Sequence, residues 1–313
     1  MPVHAFIFPG QGSQAVGMGR DLAAAFGAAR EVFQEVDDVL KQKLSKLMFE
    51  GPGEDLTLTE NTQPALMAVS LAVLRVLEQE GGIVVKQRAA LVAGHSLGEY
   101  SALAAAGSLS VADCARLLRL RGQAMQRAVA QGEGAMAALL GADLDLARTI
   151  CADAAQDEVV EAANDNGGGQ VVISGHRAAV ERAVELAKTR GVKRAMLLPV
   201  SAPFHCALMA PAADAMADAL ENVSIVAPAV PLIAVSAAKV TDPADIRDLL
   251  VRQVTGTVRW RESVLTCTRI GVDSFIELGA GKVLTGLVRR IAPDARTAAA
   301  GTPGEIEELL KAL

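Results

Sequence analysis

One short stretch restricts this chain more than any other: "ALVAGHSLGEYSALAAAG". An apolar run meets an alanine-rich run through Gly94-His95-Ser96-Leu97-Gly98. That change of pattern predicts a strand-to-helix joint at Ser96. A serine between two glycines at such a joint fits the nucleophile elbow, a sharp turn that small neighbours allow to pack closely. The helix N-terminus beneath the serine offers free N–H groups to a developing negative charge. The N–H of Leu97 is the natural oxyanion donor. The same spacing also suits a serine that merely caps the helix, so spacing alone leaves both readings open.

The rest of the chain alternates in the same way. "VHAFIFPG" predicts a buried strand, followed by a helical stretch from about Gly17 to Leu47. "TENTQPALMAVSLAVLRVLEQEGG" predicts a long helix capped by Thr62, with Pro64 in its first turn and Gly81-Gly82 at its end. "PGEDLTLTE" and "GGIVVKQR" read as loops, and a helix is expected from near Ser110 through Arg121 to about Ala130. The rhythm then becomes β-α-β-β-α-β, from "GAMAALLG" to "VKRAMLLPVS", the order of a ferredoxin-like unit. The larger pattern resumes with a helix after His205, the strand "PLIAVSA", helices from Ile246, the strand "DSFIELG", a helix from about Lys282 and a terminal helix. Strands alternating with helices imply an α/β fold with a parallel sheet covered on both faces. The expected division is a large domain of residues 1–130 and 200–313, with a small subdomain of residues 131–199 inserted in it.

Several function classes are excluded early. The net charge is −6 and there is no long basic run, which argues against a nucleic-acid surface. No apolar run reaches the roughly 18 residues of a membrane span, and the N-terminus lacks the pattern of a signal peptide. Cys114, Cys151, Cys206 and Cys267 are widely spaced, as reduced cytosolic thiols are, and form neither a disulfide frame nor a metal site. "GQGSQA" matches a dinucleotide fingerprint, but the helical pattern runs on where a second strand ending in an acid is needed. "LGAGKVLTG" lacks the first glycine of a phosphate loop and has Val283 where a hydroxyl must hold magnesium.

A nucleophilic serine needs a base, and the chain has four histidines. His95 adjoins Ser96, and adjacent side chains at an elbow diverge. His4 begins the first strand. His176 begins a helix of the small unit and is expected at the surface. His205 in "VSAPFHC" lies just past a strand end, where functional residues concentrate. It reads either as the base or as a satisfied core histidine. No single Asp or Glu stands out as a third member, and Cys206 reads as a buried bystander.

"FPGQGSQ", "GHSLGEY", "RGQAMQ", "GQVVISG", "SAPFH" and "ELGAGKVL" occur in this order across nearly the whole chain. Together they resemble the malonyl-CoA:acyl carrier protein transacylases of bacterial type II fatty acid synthesis. The resemblance implies an α/β-hydrolase-like domain with a ferredoxin-like insertion, and ping-pong transfer of malonate through a serine ester. It implies Ser96 as nucleophile, His205 as base, and the N–H groups of Gln11 and Leu97 as the oxyanion hole. It further implies Arg121 as the grip on the malonyl carboxylate, and Gln253 where backbone carbonyls, not a carboxylate, orient the histidine. Without the resemblance, Gln11 is part of a tight turn and Arg121 one more basic residue on a solvated helix face. Asn166 in "ANDNGGGQ" lies near the family's active-site asparagine, although the triple glycine departs from the usual Ser-Pro-Gly. Lys193 and Arg194 read either as contacts to coenzyme A phosphates or as exposed charges. The partners implied are malonyl-CoA and acyl carrier protein, with no metal or redox cofactor, in a cytoplasmic monomer. The rival functions are a serine thioesterase or hydrolase, and an acyltransferase serving polyketide synthesis.

Overall fold

Strand β1 (His4–Phe8) divides its side chains between two interiors: Phe6 and Phe8 enter one core, Ala5 and Ile7 another. Strand β2 (Ala89–Gly94) does the same, with Val92 on one side and Leu91 and Ala93 on the other. Burial on both faces is what a helix-covered parallel sheet demands. The computed structural model, which describes residues 2–200 and 202–313, contains that sheet. Its other members are β7 (Leu232–Ile233), β8 (Lys239–Val240), β9 (Ser274–Leu278) and β10 (Arg296–Ala300), in the order β10-β9-β1-β2-β7-β8. All neighbouring pairs that include β1, β2 or β9 are parallel, and β8 returns antiparallel to β7.

The second sheet is antiparallel and has the order β4-β5-β3-β6. It comprises β3 (Gly134–Leu140), β4 (Val160–Gly167), β5 (Gln170–His176) and β6 (Arg194–Leu197). The first and third strands of the unit are central, as in a ferredoxin-like fold. Helices from Leu144–Ala155 and Arg177–Thr189 cover one face of it and close a separate small core. Strand β4 is also tied to the large sheet's side of the molecule. The N–H of Asp165 donates to the Val258 carbonyl at 2.8 Å, and the N–H of Val258 donates to the Ala163 carbonyl at 2.8 Å.

Local differences from the sequence reading have physical causes. The stretch expected as one helix is three, Arg20–Ala25, Gly27–Leu40 and Leu44–Glu50, because Phe26 is extended and Lys41 is left-handed at φ 50°. The long helix begins at Thr59, a turn before Thr62, because the Leu58 carbonyl accepts from both Asn61 and Thr62. Thr62 therefore caps nothing: its hydroxyl donates to the Leu56 carbonyl at 2.6 Å, and Pro64 lies inside the helix. Both expected loops hold short helices, Gly53–Thr57 and Val85–Arg88. "PLIAVSA" pairs through only two residues, and the alanine-rich β10 has too little alternation to be read as a strand.

The helix after the elbow, α1 in the labels used from here (Gly98–Ala105), packs on β1 and β2, and the next, α2 (Val111–Arg127), runs beside it. This joint tolerates no side chains at its glycines. A Cβ on Gly94 would lie 1.9 Å from the Gly98 carbonyl carbon, and one on Gly98 would lie 2.2 Å from the Phe8 carbonyl oxygen. Both obstacles are backbone and cannot rotate away. Gly94→Ala is expected to destabilise the protein by at least about 3 kcal/mol, the upper end of ordinary overpacking costs. Gly286→Ala, in a helix with open space at that position, is expected to be neutral or stabilising. Urea unfolding of both variants checks this, and a Gly94→Ala midpoint close to wild type would refute the packing argument.

Candidate active site

Ser96 has φ 54°, a left-handed backbone that an L-residue adopts only under constraint. The N-cap of α1 is Leu97, and no side chain caps the helix. The Ser96 hydroxyl donates instead to Nε2 of His205, at 2.8 Å. His205 also has a left-handed backbone, at φ 57°. Its Nδ1–H is shared between the carbonyls of Gln253, at 2.9 Å, and Gly256, at 3.1 Å. Those two acceptors hold the proton on Nδ1 and turn the Nε2 lone pair toward the serine. Among the described residues no carboxylate hydrogen-bonds His205.

Electrostatics keep this histidine neutral. Burial above all, and then the nearby Arg121 guanidinium, push its pKa down to about 3, while the two carbonyls pull the other way. Arg121 belongs to α2 and is 1% exposed, not on a solvated face. Its Nη1 donates to Gln63 Oε1 at 2.8 Å, and its Nη2 donates to Gln253 Oε1 at 2.8 Å and to Ser96 Oγ at 3.1 Å. The Tyr100 ring lies 6.0 Å from its Cζ. Among the described residues no carboxylate pairs with it directly, and its Nε has no partner. A guanidinium with only neutral acceptors is left able to take an anion.

These groups border one cavity of about 360 Å³. Gln11, Leu97, Asn166 and Phe204 line it with Ser96, Arg121 and His205, and Met125, Met136, Val172 and Leu198 supply apolar wall. Among the described residues the backbone N–H groups of Gln11 and Leu97 have no acceptor within the protein. Two free donors beside a strained serine are the arrangement that receives an oxyanion.

The remaining candidates separate. His95 turns its ring toward Trp260, and its Nε2–H donates to Asn166 Oδ1 at 3.0 Å. His4 meets the Ser274 hydroxyl at 2.9 Å. His176 is half-buried rather than on the open surface, and its Nδ1 accepts from the Val159 N–H at 2.9 Å. Lys193 and Arg194 are exposed at the start of β6 and do not line the cavity. Cys206 is buried, and burial pushes its thiol up to about 11. Sequence reasoning missed Gln63, Gly256 and Glu99. Glu99 carried a signal, as the one charged residue of its short helix, whereas Gln63 adjoins the polar stretch Thr59-Glu60-Asn61-Thr62 and carried none.

A base-paired serine at a helix N-terminus, facing free backbone donors, defines a serine acyl-transfer site. The comparisons narrow that class. Residues 5–302 match the family described as "Acyl transferase domain". The chain is similar to the malonyl CoA-acyl carrier protein transacylase of Escherichia coli strain K12, at 46% identity over 99% of this chain and 100% of the relative. It is similar to the crystal structure of the acyl-carrier-protein-S-malonyltransferase from Bartonella henselae, at 58% identity, TM-score 0.97 and 99% coverage of both chains. It is also similar to a malonyl-transacylase solved in complex with its type II PKS acyl-carrier protein, at 44% identity, TM-score 0.96, and coverage of 99% and 100%. The chain belongs to the malonyl CoA-acyl carrier protein transacylase family and is an acyltransferase.

The depressed His205 pKa predicts an unusual pH profile. The base acts only when neutral, so a lowered pKa moves the loss of activity to lower pH. Acylation of Ser96 by an uncharged activated ester such as p-nitrophenyl acetate is expected to stay nearly flat from about pH 8 to 5. An ordinary imidazole with a pKa near 6.5 would lose about 30-fold at pH 5. Burst kinetics across that range, with folding followed by circular dichroism, test this. An acid limb centred between pH 6 and 7 would contradict the buried, neutral base.

Proposed function

We infer that this protein transfers the malonyl group from malonyl-CoA to the phosphopantetheine thiol of acyl carrier protein, supplying fatty acid synthesis. The observation that carries the reading is the buried, carboxylate-free Arg121 guanidinium 3.1 Å from the nucleophile's oxygen. Malonate esterified to Ser96 retains a free carboxylate, and a guanidinium can hold it by two parallel hydrogen bonds.

The chemistry follows from the geometry. His205 Nε2 takes the Ser96 proton as Oγ attacks the thioester carbon. The carbonyls of Gln253 and Gly256 face the positive charge that forms on the imidazole, the task of a carboxylate in other serine enzymes. The oxyanion is received by the N–H groups of Gln11 and Leu97; loss of one such donor typically costs about 100- to 1000-fold in rate. His205 then protonates the departing coenzyme A thiolate. The carrier thiol enters, gives its proton to His205, attacks the malonyl-serine ester and restores the serine. Apolar cavity wall limits water near the ester. Asn166 steadies His95 at the cavity's edge, and Phe204 crowds a substituent on the acyl α-carbon.

The reaction as drawn uses no metal or redox cofactor, and the described residues contain no cluster of metal-ligand type. The site of action is read as cytoplasmic; no helix of the described residues is long and apolar enough to cross a membrane. Residues 131–199 are read as a subdomain inserted in the catalytic domain, which acts as a monomer. Lys193 and Arg194 lie outside the cavity, so any contact they make with a phosphate or with the carrier is at the surface.

Three outcomes test the reading. Ser96→Ala is expected to abolish the covalent malonyl adduct seen by intact mass after mixing with malonyl-CoA; an adduct persisting in that variant removes Ser96 as nucleophile. In wild type, rapid clearance of the adduct by carrier protein and slow clearance by water distinguish a transferase from a hydrolase. Arg121→Ala is expected to cut malonyl transfer by about 100-fold or more, in line with a broken buried ion pair, and to narrow or reverse the preference over acetyl-CoA. Unchanged preference in a competition assay would place the malonyl carboxylate elsewhere.

A further inference from the structure

Glu99 follows the elbow in the first turn of α1 and is fully buried, yet no step above uses it. One of its oxygens receives both of its hydrogen bonds. Oε2 accepts the Val235 N–H at 2.9 Å and the Gln253 side-chain Nε2–H at 3.1 Å. Oε1 has no partner among the described residues. The Gln253 amide is thereby defined at both ends. A carboxylate that only accepts requires the NH2 end, and a guanidinium that only donates requires the oxygen end. The oxygen accepts from Arg121 Nη2, the same nitrogen that reaches Ser96. A directed chain therefore runs from Glu99 through Gln253 and Arg121 to the nucleophile.

We propose that Glu99 is a positioning residue for acyl-group selection, fixing the Gln253 amide so that Arg121 stands where the free carboxylate of a malonyl ester meets it. The proposal rests on the malonyl reading above and extends it. Without an acceptor at residue 99 the Gln253 NH2 is a buried donor left unpaired, and the amide is free to rotate. Nη2 of Arg121 then loses its fixed amide acceptor, while Nη1 keeps Gln63. A neutral acyl group offers Arg121 no carboxylate to hold, so it depends less on where the guanidinium stands. His205 is held by the backbone carbonyl of Gln253, not by its amide, so the base stays in place.

The orphaned Oε1 supplies a discriminating variant. Glu99→Gln can keep a carbonyl oxygen where Oε2 is, receiving both hydrogen bonds, with its NH2 in the vacant Oε1 position. Glu99→Met keeps length and volume but offers no acceptor. Burial pushes the Glu99 carboxyl up to about 7, against the Val235 N–H, Arg121 and the Gln253 amide, so its neutral form is accessible near neutral pH. Arg121 and Tyr100 are the other titratable groups with which Glu99 interacts.

The test compares transfer from malonyl-CoA and acetyl-CoA to carrier protein, with melting temperatures recorded. Glu99→Met is expected to raise the KM for malonyl-CoA and lower the malonyl-to-acetyl ratio of kcat/KM by about tenfold or more. Its acetyl kcat/KM should stay within about threefold of wild type, and the Glu99→Gln ratio should as well. An unchanged ratio in Glu99→Met, or an equal fall for both substrates, overturns the proposal. So does a ratio lost equally in Glu99→Gln, which would make charge rather than the acceptor decisive. If Glu99→Met fails to fold, Glu99→Asp, which withdraws the carboxylate by one methylene, must lower the ratio in the same direction or the proposal fails. Arg121→Ala in the same assay separates the two levels: retained malonyl preference there sinks the parent reading, whereas loss there without loss in Glu99→Met sinks only the role of Glu99.

Discussion

The backbone of Gly98 lies against the carbonyl of Phe8 with no space for a side chain between them. That approach sets the distance between β1 and the first turn of α1. It brings the Gly94–Gly98 turn over the strand ends, and the N–H of His95 donates to the Phe8 carbonyl at 3.1 Å. Ser96 is then forced into a left-handed backbone, its hydroxyl clear of the helix it precedes. The loop after β1 carries Gln11 to the same opening. Ser96 and the free N–H groups of Gln11 and Leu97 thus follow two adjacent parallel strands, whose register is set before any functional side chain is considered.

The polar interior behind the serine is organised by what it lacks. Arg121 donates to the amide oxygens of Gln63 and Gln253 and to the Ser96 hydroxyl, and the buried carboxylate of Glu99 is linked to it through the Gln253 side chain. A direct ion pair would occupy the guanidinium, whereas neutral acceptors orient it and leave its charge available. The same economy governs His205. Two backbone carbonyls orient it without supplying the full negative charge that would raise its pKa, so the imidazole stays neutral beside a cation.

Much of this was legible from the chain alone. Glycines at 94 and 98 around Ser96, after an apolar run, have few structural uses other than a tight strand-to-helix turn. The β-α-β-β-α-β order was readable because short apolar runs alternate with two longer amphipathic stretches, Leu144–Ala155 and Arg177–Thr189. The elements misread were those decided by neighbours: the early start of the long helix, the split of the Gly17–Leu47 stretch, and β10, whose alanines carry almost no pattern. In the site, Ser96 stood out by its context and His205 by elimination among four histidines. Arg121 could not be told from Arg116 and Arg119 by spacing, and only the family's motifs separated them.

By itself, then, the sequence determined the α/β class and a tight strand-to-helix turn with Ser96 at its tip, since these depend on local pattern and on the steric demands of glycine. Tertiary structure decided which arginine is buried, which carbonyls hold the histidine, and that Glu99 faces Gln253. Those partners lie 25 to 154 residues apart in the chain. Hydrogen-bond direction across such separations is set by how the helices settle on the sheet, and no local periodicity records it.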